Sequence, residues 1–195
     1  YRAIANVISN LETRPIVSAF TATATQIVKD DIINLLHLSR PFILITGFDR
    51  KNLNFSVKSP YNKIKFIKKY LEGHPNTSGI IYCATRKNVD ALYDDLTEQG
   101  YNISKYHGGM DEKLKTKNQE DFVYDKSNIM IATNAFGMGI DKSNIRYVIH
   151  YNMPKDLESY YQEAGRAGRD GNSSECILLF SRSDIVTNKF LIEQT

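Results

Sequence analysis

Cysteine is scarce in this sequence. Only Cys83 and Cys176 occur among the 195 residues, and each lies in an apolar run. They are far apart and form no C-x-x-C pair, so the pattern indicates neither a zinc site nor a disulfide framework. We therefore expect no zinc in this segment and a protein that works in a reducing compartment, with the cytoplasm as the default location.

Long hydrophobic runs are also missing. No stretch has the roughly 20 consecutive apolar residues that a membrane-spanning helix needs. The first residues do not show the pattern of a secretory signal peptide. We therefore expect no membrane partner.

A phosphate-binding loop is the third absence. No glycine is followed by lysine, so the pattern G-x-x-x-x-G-K-[S/T] does not occur. The charge balance adds little, because 25 basic against 22 acidic residues give a net charge of only +3. That charge is compatible with a nucleic-acid partner without requiring one, so local patches must indicate the partner.

Short apolar runs alternate with helical patterns along the chain. We predict strands at residues 16–20, 42–45, 53–57, 79–83, 103–106, 129–133, 146–150 and 176–180. We predict helices that begin after Thr23 and near residues 61, 87, 112, 156 and 183. Strands separated by helices predict an α/β fold, an open and mainly parallel sheet with helices on both faces. In such a sheet, ligands lie beyond the carboxyl ends of the strands.

Three loops that follow predicted strands carry groups suited to a sugar-phosphate backbone. The carboxyl ends of parallel strands share one edge, so we expect these loops to open there together and one nucleic-acid strand to cross them. The candidate contacts are Thr85, Arg86, His107, Gly108, Thr133, Phe136 and Gly137.

Several of these residues have an ordinary structural alternative. Thr85 could cap the helix that follows it. His107 could simply find a hydrogen-bond partner within its loop, and Phe136 could pack in the core. The prediction therefore depends on the coincidence of three loops.

Residues 162–171 place two arginines between glycines. If the helix that begins near residue 156 continues through this run, Gln162, Arg166 and Arg169 share one face. Arginine meets phosphate oxygens through a planar, permanently charged fork. An exposed basic helix end is the alternative, but each glycine would cost such a helix about 1 kcal/mol. The glycines therefore favour a close approach by backbone or ligand.

Together these segments resemble the motifs of RecQ-type ATP-dependent DNA helicases, superfamily 2 proteins whose motor core has two RecA-like lobes. The resemblance covers nearly all of the chain. The matching segments are motif III at 19–24 (AFTATA), the inter-lobe linker at 48–53 (FDRKNL), motif IV at 78–83 (SGIIYC) with Arg86, a short motif at 106–109 (YHGG), motif V at 132–142 (ATNAFGMGIDK) and motif VI at 159–171 (SYYQEAGRAGRDG). The family usually has proline at the Lys51 position and often alanine at the Gly108 position.

The resemblance implies a domain organisation. Residues 1–46 correspond to the C-terminal tail of the first RecA-like lobe, 47–53 to the inter-lobe linker and 54–195 to the second lobe, the helicase C-terminal domain. The phosphate-binding loop and the Asp-Glu-x-His/Asp motif of the family belong to the first lobe, and neither occurs in this chain.

The resemblance also implies residue roles. Arg169 is the expected arginine finger, Arg166 a companion that contacts phosphate or senses the nucleotide, and Gln162 the hydrogen-bonding link between them. Asp141 is expected to reach the ribose or the neighbouring lobe. Thr21 and Thr23 are expected to couple the nucleotide site to the DNA track, which the seven loop residues named above would line.

The implied function is that of a 3′→5′ DNA helicase that uses ATP and Mg²⁺, both bound mainly by the first lobe. Its partners would be single-stranded or partly duplex DNA and the first lobe of the same protein, on the bacterial nucleoid or in a eukaryotic nucleus. DEAD-box RNA helicases are the nearest rival family. A nucleic-acid- or protein-binding module without turnover is a further alternative, and we expect the isolated chain to be inactive as an enzyme.

Overall fold

A computed structural model describes residues 2–21, 26–45, 49–137 and 140–193. The chain divides into two units, Tyr1–Asp49 and Arg50–Thr195. This division falls within the predicted linker at 47–53, and the assignment of the units to two helicase lobes stays a prediction.

The first unit contains two helices, α1 (Arg2–Ser9) and α2 (Gln26–Leu35). The guanidinium of Arg14 donates hydrogen bonds to the carbonyl oxygens of Leu36 and His37, at 2.6 and 3.1 Å. These carbonyls follow the end of α2, where backbone acceptors lack helical partners and a cation is favourable. Arg14 thereby fixes the chain at the end of this helix.

The strands predicted at residues 16–20 and 42–45 are wrong, because the structure has no strand at either place. Ile16 and Phe20 are 99% and 92% exposed, and Phe42 is also exposed. A strand needs a neighbouring strand for its backbone hydrogen bonds. The described residues of this unit provide none, so a short apolar run is not sufficient to form a strand.

The second unit is built on one sheet, whose described residues form six strands. The strands are β1 (Leu53–Lys58), β2 (Gly79–Tyr82), β3 (Ile103–Tyr106), β4 (Ile129–Ala132), β5 (Tyr147–His150) and β6 (Ser174–Leu179). They lie in the order β1-β6-β5-β2-β4-β3. Every neighbouring pair is parallel, and Gly79 at the start of β2 lies between Ile129 and Tyr147.

Five helices accompany this sheet within the described residues. They are α3 (Lys63–Glu72), α4 (Arg86–Thr97), α5 (Glu112–Val123), α6 (Leu157–Ala164) and α7 (Arg182–Glu193). The first four of them begin after a polar side chain that accepts a hydrogen bond from a backbone N–H of the first turn. These capping residues are Asn62, Thr85, Asp111 and Asp156.

The helices cover both faces of the sheet. Ile81 and Ile131 belong to one apolar cluster, together with buried residues of α3 and α4. Their strand neighbours Ile80 and Met130 belong to the other cluster, with Phe122 of α5 and Ala164 of α6. This alternation is the two-residue period of a strand that is buried on both sides. The predicted fold class, an open parallel sheet with helices on both faces, is confirmed.

Candidate functional site

The two arginines lie in a segment of turns after α6, which we call the arginine segment (residues 165–172). The helix ends at Ala164, and Gly165 caps it. The expectation that Gln162, Arg166 and Arg169 share one helical face is therefore wrong. The backbone N–H of Arg166 donates to the carbonyl of Glu163, and Gly168 adopts a φ of +56°. Such a φ is incompatible with a helix.

Arg166 contacts the connection that follows β4. Its Nη1 donates to the carbonyl oxygen of Gly137 at 2.5 Å. A Cβ on Gly137 would lie 2.0 Å from Nη2 of Arg166, and Gly137 has a φ of +150°. Glycine at this position therefore leaves room for the guanidinium. The Nε of Arg166 is buried and has no hydrogen-bond partner among the described residues.

Arg169 contacts the same connection a few residues later. Its Nη1 donates to the carbonyl oxygen of Ile140 at 2.9 Å and lies 3.5 Å from Oδ1 of Asp141. The side chain of Arg169 is 38% exposed and that of Asp141 is 96% exposed. Both arginines are thus brought to the β4–β5 connection, at Gly137 for Arg166 and at Ile140 and Asp141 for Arg169, although by a turn and not by a continued helix.

Gln162 lies on the exposed side of α6, where its Nε2 donates to Oε1 of Glu158 at 3.3 Å. Its role as a link between the arginines stays a prediction. Thr21 lies in the first unit, and its coupling role also stays a prediction. Thr23 lies outside the described residues.

Two neighbours hold the arginine segment in place. Gly168 N–H donates to the carbonyl of Ile145 at 2.8 Å, next to the start of β5. Nη2 of Arg146 donates to both carboxylate oxygens of Asp170, each at 2.7 Å. These bonds are the main reason why the pKa of Asp170 falls to about 2. The backbone of this segment therefore sits near the amino end of β5, whereas the side chain of Arg166 reaches one of the loops that follow the strands.

Those loops lie at the opposite edge of the sheet, which we call the carboxyl edge (residues 83–86, 107–110 and 133–137). Arg86 is exposed at the start of α4. Its Nη2 lies 3.6 Å from the place of a Cβ on Gly108, and its Nη1 lies 3.0 Å from that place on Gly109. The structure thus brings Arg86 and the two glycines together, as predicted from the parallel sheet.

His107 shapes the glycine turn from within. The N–H of Gly109 donates to Nδ1 of His107 at 3.1 Å, and Nε2 of the same ring lies 3.3 Å from Oδ1 of Asp90. Because a backbone N–H can only donate, Nδ1 is the acceptor and Nε2 carries the proton in the neutral ring. Hydrogen bonds from Lys105 and His107 lower the pKa of Asp90. The ring is buried, so the structural alternative for His107 is confirmed.

Thr85 and Phe136 also have structural roles. The hydroxyl of Thr85 accepts the N–H of Asn88 at 3.2 Å, which confirms that it caps α4. Phe136 is 1% exposed and packs against Tyr106 and Phe122, with ring centroids 5.1 and 6.0 Å away. Its ring therefore belongs to the core, as in the structural alternative, and the assignment of Phe136 to a DNA track stays a prediction.

A cleft of about 310 Å³ lies beyond the ends of β2 and β5. Asn134, Asn152 and Lys155 are among its lining residues. In its wall, Nε2 of the buried His150 lies 2.9 Å from Oε2 of Glu163. We did not predict this pair, because His150 is simply the last residue of an apolar strand in the sequence.

The part of the chain that the structure describes contains no candidate metal cluster and no candidate membrane-spanning helix. Within residues 2–21, 26–45, 49–137 and 140–193, no group of three or more His, Cys, Asp or Glu residues could hold a metal ion. In the same ranges, no helix is long and apolar enough to cross a membrane.

Known proteins with similar sequences share these segments. The family model described as "Helicase conserved C-terminal domain" matches residues 62–171. The ATP-dependent DNA helicase RecQ of Bacillus subtilis (strain 168) is 49% identical over 195 residues, which cover 100% of this chain and 33% of that protein. The RecQ-like DNA helicase BLM of Xenopus laevis is 43% identical over 182 residues, or 90% of this chain and 13% of that protein. The chain therefore spans about a third or less of the length of these two relatives.

A solved structure shows the same fold. S. cerevisiae Dbp5, bound to RNA and ADP BeF3, superposes with a TM-score of 0.75 and 21% identity, covering 98% of this chain and 51% of that chain. At this identity the likeness concerns the fold alone. The chain therefore belongs to the helicase conserved C-terminal domain family, and its sequence is similar to those of RecQ-type DNA helicases.

Proposed function

We propose that this chain supplies the arginine wall of an ATP cleft and part of the DNA track in an ATP-dependent 3′→5′ DNA helicase. One observation carries the proposal. The connection from β4 to β5 begins at Thr133, on the carboxyl edge, and continues to Gly137 and Ile140, whose carbonyls hold the two arginines. A single segment thus joins the proposed DNA contacts to the proposed phosphate contacts.

The arginines suit a triphosphate. The side chain of Arg169 is partly exposed, so an anion can approach its guanidinium, while the buried Nε of Arg166 lacks a partner among the described residues. Guanidinium groups can stabilise the charge that develops on transferring phosphoryl oxygens. ATP, when bound, supplies the phosphoryl group whose transfer to water provides the free energy for movement.

Their environments favour different roles. Arg169 is the more exposed, and we assign it the role of arginine finger. Arg166 is fixed against Gly137 and serves as a companion that contacts phosphate or senses the nucleotide. Asp141 is exposed beside Arg169, and we assign it to the ribose or to the neighbouring lobe. Mg²⁺ would be held mainly by the first lobe.

The carboxyl edge suits a single DNA strand. Arg86 provides an exposed positive charge, and Gly108 and Gly109 are exposed beside it, so their backbones are open to a phosphate. Thr133 and Gly137 lie in the adjoining loop. In this proposal Thr85 and His107 contribute mainly by fixing the positions of Arg86 and the glycine turn.

Steady-state ATPase kinetics of the intact helicase, with saturating single-stranded DNA, test the arginine assignments. Arg169→Ala should lower kcat by on the order of 10³-fold or more with little change in nucleotide affinity, because a finger acts on charge that develops in the transition state. Arg169→Lys should rescue little, since lysine lacks the planar fork. Arg166→Ala should raise KM more, if its contact already exists in the ground state.

Arg182→Ala, at an exposed arginine that begins α7, is the matched control and should leave kcat and KM unchanged. Loss of kcat with Arg166→Ala and near-normal kcat with Arg169→Ala would reverse the two assignments. Near-normal kcat in both variants would mean that the arginine segment has no role in ATP hydrolysis and is only a basic surface turn.

A further inference from the structure

We propose that Arg50 and Asn52, which precede β1, are positioning residues for the arginine segment. They hold its backbone in the form that presents Arg166 and Arg169. This inference rests on the proposed function of those arginines. From the sequence alone we assigned Arg50 and Asn52 only to the linker.

Arg50 binds the arginine segment through its backbone. Its guanidinium donates to the carbonyl oxygens of Gly165 at 3.5 Å, Ala167 at 3.1 Å and Gly168 at 2.7 Å. These carbonyls follow the end of α6, where acceptors lack helical partners and the helix dipole favours a cation. One side chain therefore spans the backbone on both sides of Arg166.

Asn52 adds a second hold on the same backbone. Its Nδ2 donates to the carbonyls of Gly168 and Asn172, both at 2.9 Å. Its own carbonyl accepts the N–H of Ser174 at 2.9 Å, where β6 begins. Asn52 thus ties both ends of the turn that contains Arg169 to the sheet.

The geometry requires a glycine at the point where these contacts meet. A Cβ on Gly168 would lie 2.5 Å from Nδ2 of Asn52 and 2.7 Å from the carbonyl oxygen of Asn172. Arg50 and Asn52 belong to the same turn, in which the N–H of Leu53 donates to the carbonyl of Arg50. The two side chains therefore act from one short, hydrogen-bonded turn.

The consequence is that the arginines are held indirectly as well as directly. Arg166 and Arg169 bind the β4–β5 connection through their guanidinium groups, and Arg50 and Asn52 hold the backbone from which those side chains extend. Removing Arg50 would leave three carbonyl acceptors without this donor. The guanidinium groups of Arg166 and Arg169 would then be placed less accurately. A displacement of about 1 Å can lower the rate of a catalysed reaction on the order of 10²-fold.

ATPase kinetics of the intact helicase with saturating DNA test this role. Arg50→Ala should lower kcat by roughly 10- to 100-fold, while KM for ATP and the Kd for single-stranded DNA stay within about twofold. Arg50→Lys should recover only part of the loss, because an ammonium lacks the planar fork that reaches several carbonyls. Asn52→Ala should lower kcat in the same way and to a smaller degree.

Asn54→Ala is the matched control. Asn54 lies on β1 close to Asn52, but its Nδ2 donates to the hydroxyl of Ser173 at 3.0 Å and not to the arginine segment. This variant should retain normal kcat. Circular dichroism and thermal unfolding of each variant identify any that fail to fold, and Asn52→Ala then carries the test in place of Arg50→Ala.

A double-mutant cycle separates positioning from general stability. If Arg50 acts through Arg166 and Arg169, then Arg50→Ala should lower kcat by a smaller factor in a protein that already carries Arg169→Ala. Independent, multiplicative losses would overturn the inference, as would normal kcat in folded Arg50→Ala and Asn52→Ala variants. If neither Arg166→Ala nor Arg169→Ala lowers kcat, the proposed function fails first, and the two failures are thereby distinguished.

Discussion

Gly168 illustrates how one residue determines the form of the arginine segment. Its φ of +56° excludes a right-handed helical conformation at this residue, and the amide of Asn52 occupies the space that a side chain would need. From the sequence, we expected the glycines to mark a close approach by backbone or ligand. At Gly168 the approaching groups belong to the chain itself, so this glycine is required by the fold whether or not a nucleotide is bound.

Replacing Gly168 by alanine should therefore destabilise the protein in two ways. The left-handed backbone alone costs an L-residue about 1–2 kcal/mol, and the Cβ must in addition displace Asn52. Gly171→Ala is the matched control, because Gly171 has a φ of +83° and open space around its Cβ position. In urea unfolding of the purified chain, Gly168→Ala should lose more stability than Gly171→Ala. Equal losses would mean that the contact with Asn52 contributes nothing.

The elements of the second unit were largely predictable because their pattern is local. The strand residues Ile80, Ile81, Met130 and Ile131 belong to short apolar runs that are buried on both sheet faces, and α3 to α6 each begin after a polar capping side chain. The end of α6 was not predictable from periodicity alone. The hold of Arg50 on Gly168 joins residues 118 positions apart, a distance at which the local pattern carries no signal.

The position of the loops at the carboxyl edge was predictable from the topology of a parallel sheet. The local contacts of several loop side chains were not predictable in this way. Parallel strands place their following loops at one edge, so Arg86 and Gly108 meet. Phe136 is in one of those loops, but a ring of that size gains more from contact with Phe122 than from exposure to water. Thr85 and His107 are occupied by local hydrogen bonds.

DNA binding by the purified chain should depend on Arg86. We expect weak binding to single-stranded DNA that falls with salt, at a slope of about −0.7 per phosphate contact. Arg86→Ala should weaken binding and reduce the magnitude of the slope by about 0.7. Lys126→Ala, an equal change of charge on the loop before β4, is the control and should leave the slope unchanged. Fluorescence anisotropy over a series of salt concentrations gives both values, and an unchanged slope for Arg86→Ala would remove Arg86 from the track.

At the scale of the whole molecule, the chain contains two sets of candidate ligand contacts, one proposed for phosphate and one proposed for DNA. A helicase would need both sets together. The arginine segment lies near the amino end of β5, and Arg86 with the glycine turn lies at the carboxyl edge. Gly137 and Ile140, whose carbonyls accept hydrogen bonds from the two arginines, belong to the same β4–β5 connection as Thr133 at the carboxyl edge. This connection would couple the proposed ATP cleft to the proposed DNA track. The phosphate-binding loop pattern does not occur in this sequence, so under the proposed function the arginines of this chain alone would have no positioned triphosphate.

The purified 195-residue chain should therefore have neither DNA-stimulated ATPase nor unwinding activity. Positioning of the triphosphate and metal supplies most of the catalysis of phosphoryl transfer, and the phosphate-binding loop that performs it does not occur here. ATP hydrolysis should be measured with and without single-stranded DNA, beside the intact helicase as the positive control. Any residual turnover should be identical in a chain that carries Arg169→Ala, since a contaminating enzyme does not depend on this residue. Mg²⁺-dependent turnover that disappears with Arg169→Ala would contradict the prediction, because the chain would then be hydrolysing ATP without a phosphate-binding loop.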